Sequence, residues 1–224
     1  MGKVTELSAS NLLPGLNVDS GRWNRMPSEE EIAATAEALE KNAKIKVIRG
    51  ADGDEALQKI KELIPAGAEV MNGSSTTLIE IGYQDFVRSD KSPWKNLRQA
   101  IDSESDPARR DELRRRSIIA DYFLSGVNAI SKTGMVAACD ATGSRTGAWL
   151  FGARNLILVS GVNKIVSSED EALQRIKEYA YPLEDARINR AQGAHSSVAK
   201  CAMIRNERKK GRVTLILIND RLGY

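Results

Sequence analysis

The sequence predicts an α/β protein in which a mostly parallel sheet carries helices on both faces. Short apolar runs rich in Val, Ile and Leu alternate with segments of helical spacing that start at capping residues. Strands that alternate with helices need crossover connections, which place the helices on the faces of the sheet. The 224 residues, 42% hydrophobic and 28% charged, suit one globular domain of this class. We expect an irregular N-terminal arm over residues 1–27 and a single domain over residues 28–224.

The first half of the predicted domain alternates between helix and strand. Ser28 and Glu31 form a capping box that starts a helix to about residue 41. Residues 54–64 place Ala, Leu and Ile on one helical face, and Pro65 ends that helix. Strands of the sheet are predicted at residues 44–48, 69–71, 122–124 and 155–159.

The second half adds a polar helical region and two C-terminal strands. Residues 83–118 predict one or two helices that lie over the sheet or form a lid on an active site. A second capping box, Ser168 with Glu171, starts a helix to about residue 180. The strands Lys200–Arg205 and Val213–Ile218 flank a polar turn, and this pattern predicts a C-terminal β-hairpin.

Charge and hydropathy exclude two classes of partner. The formal net charge is only +3, and the arginines of residues 109–116 are interleaved with acidic residues, which is typical of a solvated helix face. Because aromatic residues that would stack on bases are missing from the basic segments, we expect no nucleic acid partner. The chain has no apolar run of about 18 residues and no apolar signal core at its start, so we expect no membrane partner and a cytoplasmic location.

The cysteines and the histidine predict no metal site and no cofactor. Cys139 and Cys201 lie 62 positions apart without a Cys-x-x-Cys pair, which excludes a sequence-encoded iron–sulfur or cysteine-rich zinc site. The single histidine, His195, cannot form a histidine-based metal site alone. Because Cys139 ends an apolar strand beside a carboxylate, we predict a buried structural cysteine rather than a nucleophile.

A turn rich in glycine and hydroxyl residues is the first candidate site. It joins the strand at residues 69–71 to a helix that begins near Leu78, and it contains Asn72, Gly73, Ser74, Ser75 and Thr76. The free N–H groups of such a turn point outward at the positive end of the helix dipole, where anions bind. N-capping by one of the hydroxyl groups, without any ligand, explains the same pattern.

Turn residues inside the apolar segment Ser125–Gly161 form the second part of the candidate site. The predicted ligand-binding residues are Asn128, Thr133, Gly134 and Arg145, and the candidate catalytic residues are Asp140 and Lys132. In an open α/β sheet, ligands bind beyond the carboxyl ends of the strands, where we expect these segments to meet the first turn. A guanidinium group forks onto a carboxylate or phosphate, and Asp140 would orient it or accept a proton. Alternatively, Asp140 and Arg145 pair with each other and only hold the loop in shape.

Three aromatic residues predict a homo-oligomer, in the form of a dimer. Trp94, Trp149 and Phe151 lie in polar or loop-rich surroundings, where we expect one compact domain not to bury them all. Exposed aromatic side chains tend to mark interfaces between proteins.

Several segments together resemble the LUD (lactate utilization) domain family, which includes lactate-utilization protein C. The resemblance is carried by Val70–Gly82, by Ala120–Ile130, by Thr133 with Gly134, and by Lys164–Val166 with the helix that follows. It covers about residues 28–220.

This resemblance implies a fold like those of the NagB, RpiA and CoA-transferase proteins. Ribose-5-phosphate isomerases of that superfamily hold a phosphate with a loop like residues 72–77, which implies that an anion pocket is retained. Their acidic catalytic segment falls at Ser125–Asn128, where this chain has no aspartate, so isomerase activity is not expected.

The family also implies a function. Its members act with iron–sulfur partner proteins in the oxidation of L-lactate to pyruvate, and this chain, which has no cluster ligands, would be an accessory, non-redox component that binds a small anionic metabolite. The alternative is a stand-alone enzyme that acts on a sugar phosphate or an acyl-CoA ester in the same pocket.

Overall fold

Helices and strands alternate along most of the chain. The structure is a computed structural model that describes residue 6 and residues 8–224, so residues 1–5 and 7 of the predicted arm lie outside the described residues. The helices are α1 (Ala9–Leu12), α2 (Ser20–Trp23), α3 (Glu29–Ala38), α4 (Gly53–Leu63), α5 (Thr76–Glu80), α6 (Tyr83–Arg88), α7 (Leu97–Ser103), α8 (Pro107–Ser117), α9 (Ser144–Gly147), α10 (Glu169–Arg175) and α11 (Tyr181–Gln192). The strands are β1 (Lys46–Gly50), β2 (Glu69–Asn72), β3 (Lys95–Asn96), β4 (Tyr122–Gly126), β5 (Ala129–Ser131), β6 (Met135–Asp140), β7 (Asn155–Gly161), β8 (Ile165–Val166), β9 (Lys200–Ile204) and β10 (Val213–Ile218).

The two predicted capping residues start their helices. The Ser28 hydroxyl accepts a hydrogen bond of 3.2 Å from the Glu31 N–H, and the Glu31 carboxylate accepts one of 2.9 Å from the Ser28 N–H. The Ser168 hydroxyl accepts a bond of 3.1 Å from the Glu171 N–H. These bonds satisfy N–H groups that a helix leaves unpaired at its start, so α3 and α10 begin directly after the two serines.

Six strands of the described chain form one parallel sheet in the order β1-β10-β7-β4-β2-β3. Along β10, Leu215 and Leu217 belong to the core on one face, and Ile216 and Ile218 belong to the core on the other. Burial on both faces is characteristic of parallel sheets whose crossover connections are helical. The predicted mostly parallel α/β architecture is therefore confirmed.

A second sheet lies against the first. In the described residues it has four strands in the order β8-β5-β6-β9, with β6 antiparallel to both of its neighbours. Val136 and Ala138 face the core of the parallel sheet, together with α3 and α7. Met135 and Ala137 face the opposite way and pack with side chains of α10, α11 and Trp23 of the arm. The helices α4, α5 and α6 cover the remaining face of the parallel sheet.

The predicted C-terminal hairpin is wrong. The strands β9 and β10 do not pair with each other, because β9 pairs with β6 in the second sheet and β10 lies between β1 and β7 in the first. Every residue of β10 is buried. A strand buried on both faces needs neighbours that are themselves covered, and the centre of the parallel sheet provides them.

The structure buries two of the three aromatic residues that suggested a dimer. Trp94 and Trp149 lie in the two cores, whereas the side chain of Phe151 is 90% exposed and that of Leu150 is 56% exposed. The dimer stays a prediction that now depends on Phe151. Within the described residues, no helix combines the length and the apolar character needed to cross a membrane.

Candidate functional site

A cavity of about 530 Å³ opens at the carboxyl edge of the parallel sheet. Its walls include residues that follow β2, β4, β6 and β7, residues of α6, α7, α8 and α11, and Tyr224. All strands of the parallel sheet end at the same edge, so their loops converge there. This is the edge at which open α/β sheets bind ligands.

The glycine- and hydroxyl-rich turn after β2 lines this cavity. The residues that the structure places there are Asn72, Gly73, Ser74, Ser75 and Thr76. The Ser75 hydroxyl caps α5 by accepting a hydrogen bond of 3.3 Å from the Leu78 N–H. Because α5 has only five residues, its dipole is a weak attraction for an anion, and the capping interpretation explains Ser75.

Arg145 also lines the cavity. Its Nη2 donates to the Asn128 Oδ1 at 3.2 Å and to the Cys139 carbonyl oxygen. Asn128 Oδ1 also accepts a bond of 2.9 Å from the Cys139 N–H, so this amide fixes the arginine to β6. The Nε and Nη1 donors of Arg145 make no hydrogen bond to the described part of the chain, which leaves them available to a ligand.

Asp140 holds the loop that carries Arg145. Its carboxylate accepts hydrogen bonds from the N–H groups of Thr142 at 2.9 Å, Arg145 at 2.7 Å and Thr146 at 3.2 Å. Burial opposes the charged form, but backbone N–H donors of this loop, including those of Thr142 and Thr146, outweigh it and lower the pKa of Asp140. A carboxylate with these donors is a weak proton acceptor, so the geometry favours a scaffolding role for Asp140, which binds the Arg145 backbone N–H and forms no ion pair with the guanidinium group in the described residues.

Three residues that the sequence analysis missed form a network on another wall. The Arg187 guanidinium binds both carboxylate oxygens of Glu184, at 2.8 and 2.7 Å, and its Nη2 donates to the Ser74 hydroxyl at 3.0 Å. The Tyr224 hydroxyl donates to the same carboxylate at 2.6 Å. The hydrogen bonds that Arg187 donates to Glu184 raise the pKa of Arg187, and burial raises the pKa of Tyr224. Arg187 and Glu184 therefore largely neutralise each other.

Lys164 is a fourth residue that the sequence analysis did not single out as part of the site. It follows β7 on a short 3₁₀ turn, lines the cavity, and has a side chain that is fully enclosed. Its Nζ donates to the Thr77 hydroxyl at 2.9 Å and to the Val127 carbonyl at 3.0 Å. The sequence signal was weak, because Lys164 follows Asn163 and precedes the short apolar pair Ile165 and Val166, and buried lysines are rare.

Two of the predicted binding residues and one catalytic candidate lie elsewhere. Lys132, Thr133 and Gly134 form the turn between β5 and β6 and do not line the cavity. Lys132 forms an ion pair with Glu31, and the Thr133 carbonyl accepts a bond of 2.9 Å from the Asn42 side chain. The strand β6 separates this turn from Asp140 by about 20 Å, at roughly 3.4 Å per residue.

In the part of the chain that the structure describes, the cysteines and the histidine have no partners suited to a metal. Among the described residues, no group of three or more His, Cys, Asp and Glu side chains could hold a metal ion. The exposed His195 lies 3.1 Å from the Asp185 carboxylate. Cys139 lines the cavity with its Sγ 3.5 Å from that of Cys201, and burial raises its pKa to about 12, which makes it a poor nucleophile.

Comparisons with known proteins identify relatives by family and by fold. A family model described as the LUD domain matches residues 32–218. The crystal structure of a DUF162 family protein from Deinococcus radiodurans, at 1.70 Å resolution, is 13% identical in sequence and superposes with a TM-score of 0.50. The superposition covers 86% of this chain and 99% of that chain, which shows a shared fold. No curated protein matches the chain.

Proposed function

Since the chain belongs to the LUD (lactate utilization) domain family, we propose that it is an accessory component of L-lactate oxidation to pyruvate. In this role its cavity binds a small anionic metabolite, such as lactate or pyruvate. An iron–sulfur cluster needs four thiolate ligands, and this chain has two cysteines. The electrons of the oxidation therefore pass to iron–sulfur partner proteins. The family association supports the pathway, and the cavity supports the ligand class.

The single observation that carries the ligand class is the arrangement of charge around the cavity. Arg145 lines it without forming an ion pair to any carboxylate in the described residues. The carboxylates of Asp140 and Glu184, by contrast, are occupied by the loop N–H groups and by Arg187. The excess of available positive charge favours an anion.

The remaining donors of Arg145 suit a carboxylate. Its Nε–H and Nη1–H point to different edges of the guanidinium plane, and a carboxylate oxygen accepts a charge-assisted hydrogen bond from either of them. The cavity volume of about 530 Å³ lies in the usual range for small-molecule sites and accommodates a three-carbon acid with room to spare.

Thermal melting with matched ligands tests the proposed ligand class. L-lactate and pyruvate are expected to raise the melting temperature in a saturable way, whereas lactamide, which has the same shape without the charge, is not. A ligand at one hundred times its dissociation constant stabilises the folded state by about 2.7 kcal/mol. Equal shifts from lactate and lactamide, or no shift from either acid, would refute the anion site.

Growth of a deletion strain tests the proposed pathway. Deletion of the gene in its own organism is expected to abolish growth on L-lactate and to leave growth on pyruvate intact, because pyruvate enters after the oxidation. Reintroduction of the gene should restore growth on lactate. Normal growth of the deletion strain on L-lactate as sole carbon source would contradict the pathway.

A further inference from the structure

Lys164 has an environment that an amine rarely has in a folded protein. Its side chain is only 1% exposed, and its Nζ has two neutral acceptors, the Thr77 hydroxyl and the Val127 carbonyl. No carboxylate in the described residues forms an ion pair with it. A buried ammonium without an opposite charge is costly, so such a group tends to lose its proton.

Two of the three charged groups around Lys164 act in the same direction as burial. Burial is the largest cause, and the positive charges of Arg175 and Arg145 add to it, while Glu80 opposes them. Together they lower the pKa of Lys164 to about 7. A large share of the amine is therefore unprotonated and nucleophilic at neutral pH, in contrast to an ordinary lysine.

Lys164 and Arg145 are anchored on consecutive residues. The Val127 carbonyl accepts the hydrogen bond from Lys164, and the Asn128 side chain accepts the one from Arg145. The Cα atoms of neighbouring residues are about 3.8 Å apart. The same short segment after β4 thus brings an amine and a carboxylate-binding group to one cavity.

We propose that Lys164 forms an imine with a 2-oxo acid whose carboxylate binds Arg145. This inference depends on the anion site proposed above and names the substrate class of that site. The amine nitrogen attacks the carbonyl carbon, a C–N bond forms, and the carbonyl oxygen leaves as water with the two protons of the amine. The step needs no oxidant or reductant. Thr77, whose hydroxyl accepts a hydrogen bond from Nζ, is placed to relay a proton to the departing oxygen.

Reductive trapping of the full-length protein tests the imine. The protein is incubated with pyruvate and cyanoborohydride at pH 7, and the modified residue is identified by peptide mass spectrometry. We expect one N-(1-carboxyethyl) group per chain, located on Lys164. L-lactate has the carboxylate but no ketone group, so it should compete with pyruvate and slow the trapping. Lactamide, which has no charge, should not.

A lysine with a carboxylate partner provides the internal control. Lys132, in its ion pair with Glu31, should remain unmodified under the same conditions. The trapping rate on Lys164 should rise with a midpoint near pH 7, since the unprotonated amine is the reactive form. Because the residue is mapped in the native protein, the test does not depend on whether a Lys164→Met variant folds.

The outcomes separate this inference from the proposed function. If pyruvate raises the melting temperature but Lys164 is not modified, the imine is refuted and the anion site stands. If pyruvate neither stabilises the protein nor modifies it, both are refuted. Modification spread over exposed lysines, with none on Lys164, also overturns the imine.

Discussion

Replacement of Arg145 by alanine is expected to weaken pyruvate and lactate binding strongly. Nη2 of Arg145 is occupied by Asn128 and the Cys139 carbonyl, so the replacement removes a ligand contact made by Nε or Nη1. A hydrogen bond to a charged group contributes about 1.5–3 kcal/mol. At about 1.4 kcal/mol per tenfold change, the dissociation constant should rise by roughly 10- to 150-fold. Arg145→Lys should give an intermediate loss, because lysine keeps the charge without the planar fork.

The same replacement has a smaller effect on folding. Two acceptors lose their donor, and each hydrogen bond contributes about 1 kcal/mol, so the free energy of unfolding should fall by about 1–2 kcal/mol. Calorimetric titration at 25 °C measures binding, and urea denaturation confirms that the variant is folded.

Arg116→Ala is the matched control for the loss of a charge. Arg116 binds Glu112 at 2.7 Å on the exposed face of α8, and such pairs contribute about 0.3–0.5 kcal/mol. This variant should bind pyruvate with the affinity of the wild type. A folded Arg145→Ala variant that also binds like the wild type would show that Arg145 is not the partner of the carboxylate.

Three further outcomes follow from the packing. Gly134→Ala should lower the free energy of unfolding in urea by at least about 2 kcal/mol, because the φ of Gly134 is +89° and a Cβ would lie 2.3 Å from the Ala38 carbonyl oxygen; wild-type stability would contradict this. Diamide should join Cys139 and Cys201, which face each other across β6 and β9, and thiol titration should then find no free thiol; two remaining thiols would refute the pairing. The predicted dimer should dissociate in Phe151→Ser with its melting temperature unchanged, as followed by light scattering, whereas a monomeric wild type would exclude the dimer.

The strands of the parallel sheet and the helices around it could be predicted, because short segments of sequence determine where they begin and which faces they bury. Capping residues begin the helices, and the apolar runs of β4 and β7 lie within the sheet where the sequence predicts strands. The hairpin is wrong because β9 and β10 are neighbours along the chain but lie in different sheets. The continuous apolar run of β10 does predict a central strand, but β1 and β7 flank it instead of β9.

The candidate site was predicted only where its residues directly follow strands of the sheet. The turn after β2 and Asn128 after β4 meet because parallel strands end at one edge. Arg187 was missed because an arginine in a polar helix has no local sign of burial. Tyr224 was missed because the path of the residues after β10, which brings it to the cavity, has no signal in the sequence. Thr133 does not reach the site because β6 lies between it and Asp140, so the two are at opposite ends of that strand.

A crystal structure of the protein with L-lactate tests the central claim most directly. Lactate has no ketone group that could react with Lys164, so the structure reports the anion site alone. The account predicts lactate in the cavity at the carboxyl edge of the parallel sheet, with its carboxylate accepting hydrogen bonds from Nε or Nη1 of Arg145. A cavity without lactate at a saturating concentration, or lactate bound only at surface arginines such as Arg110, would contradict it.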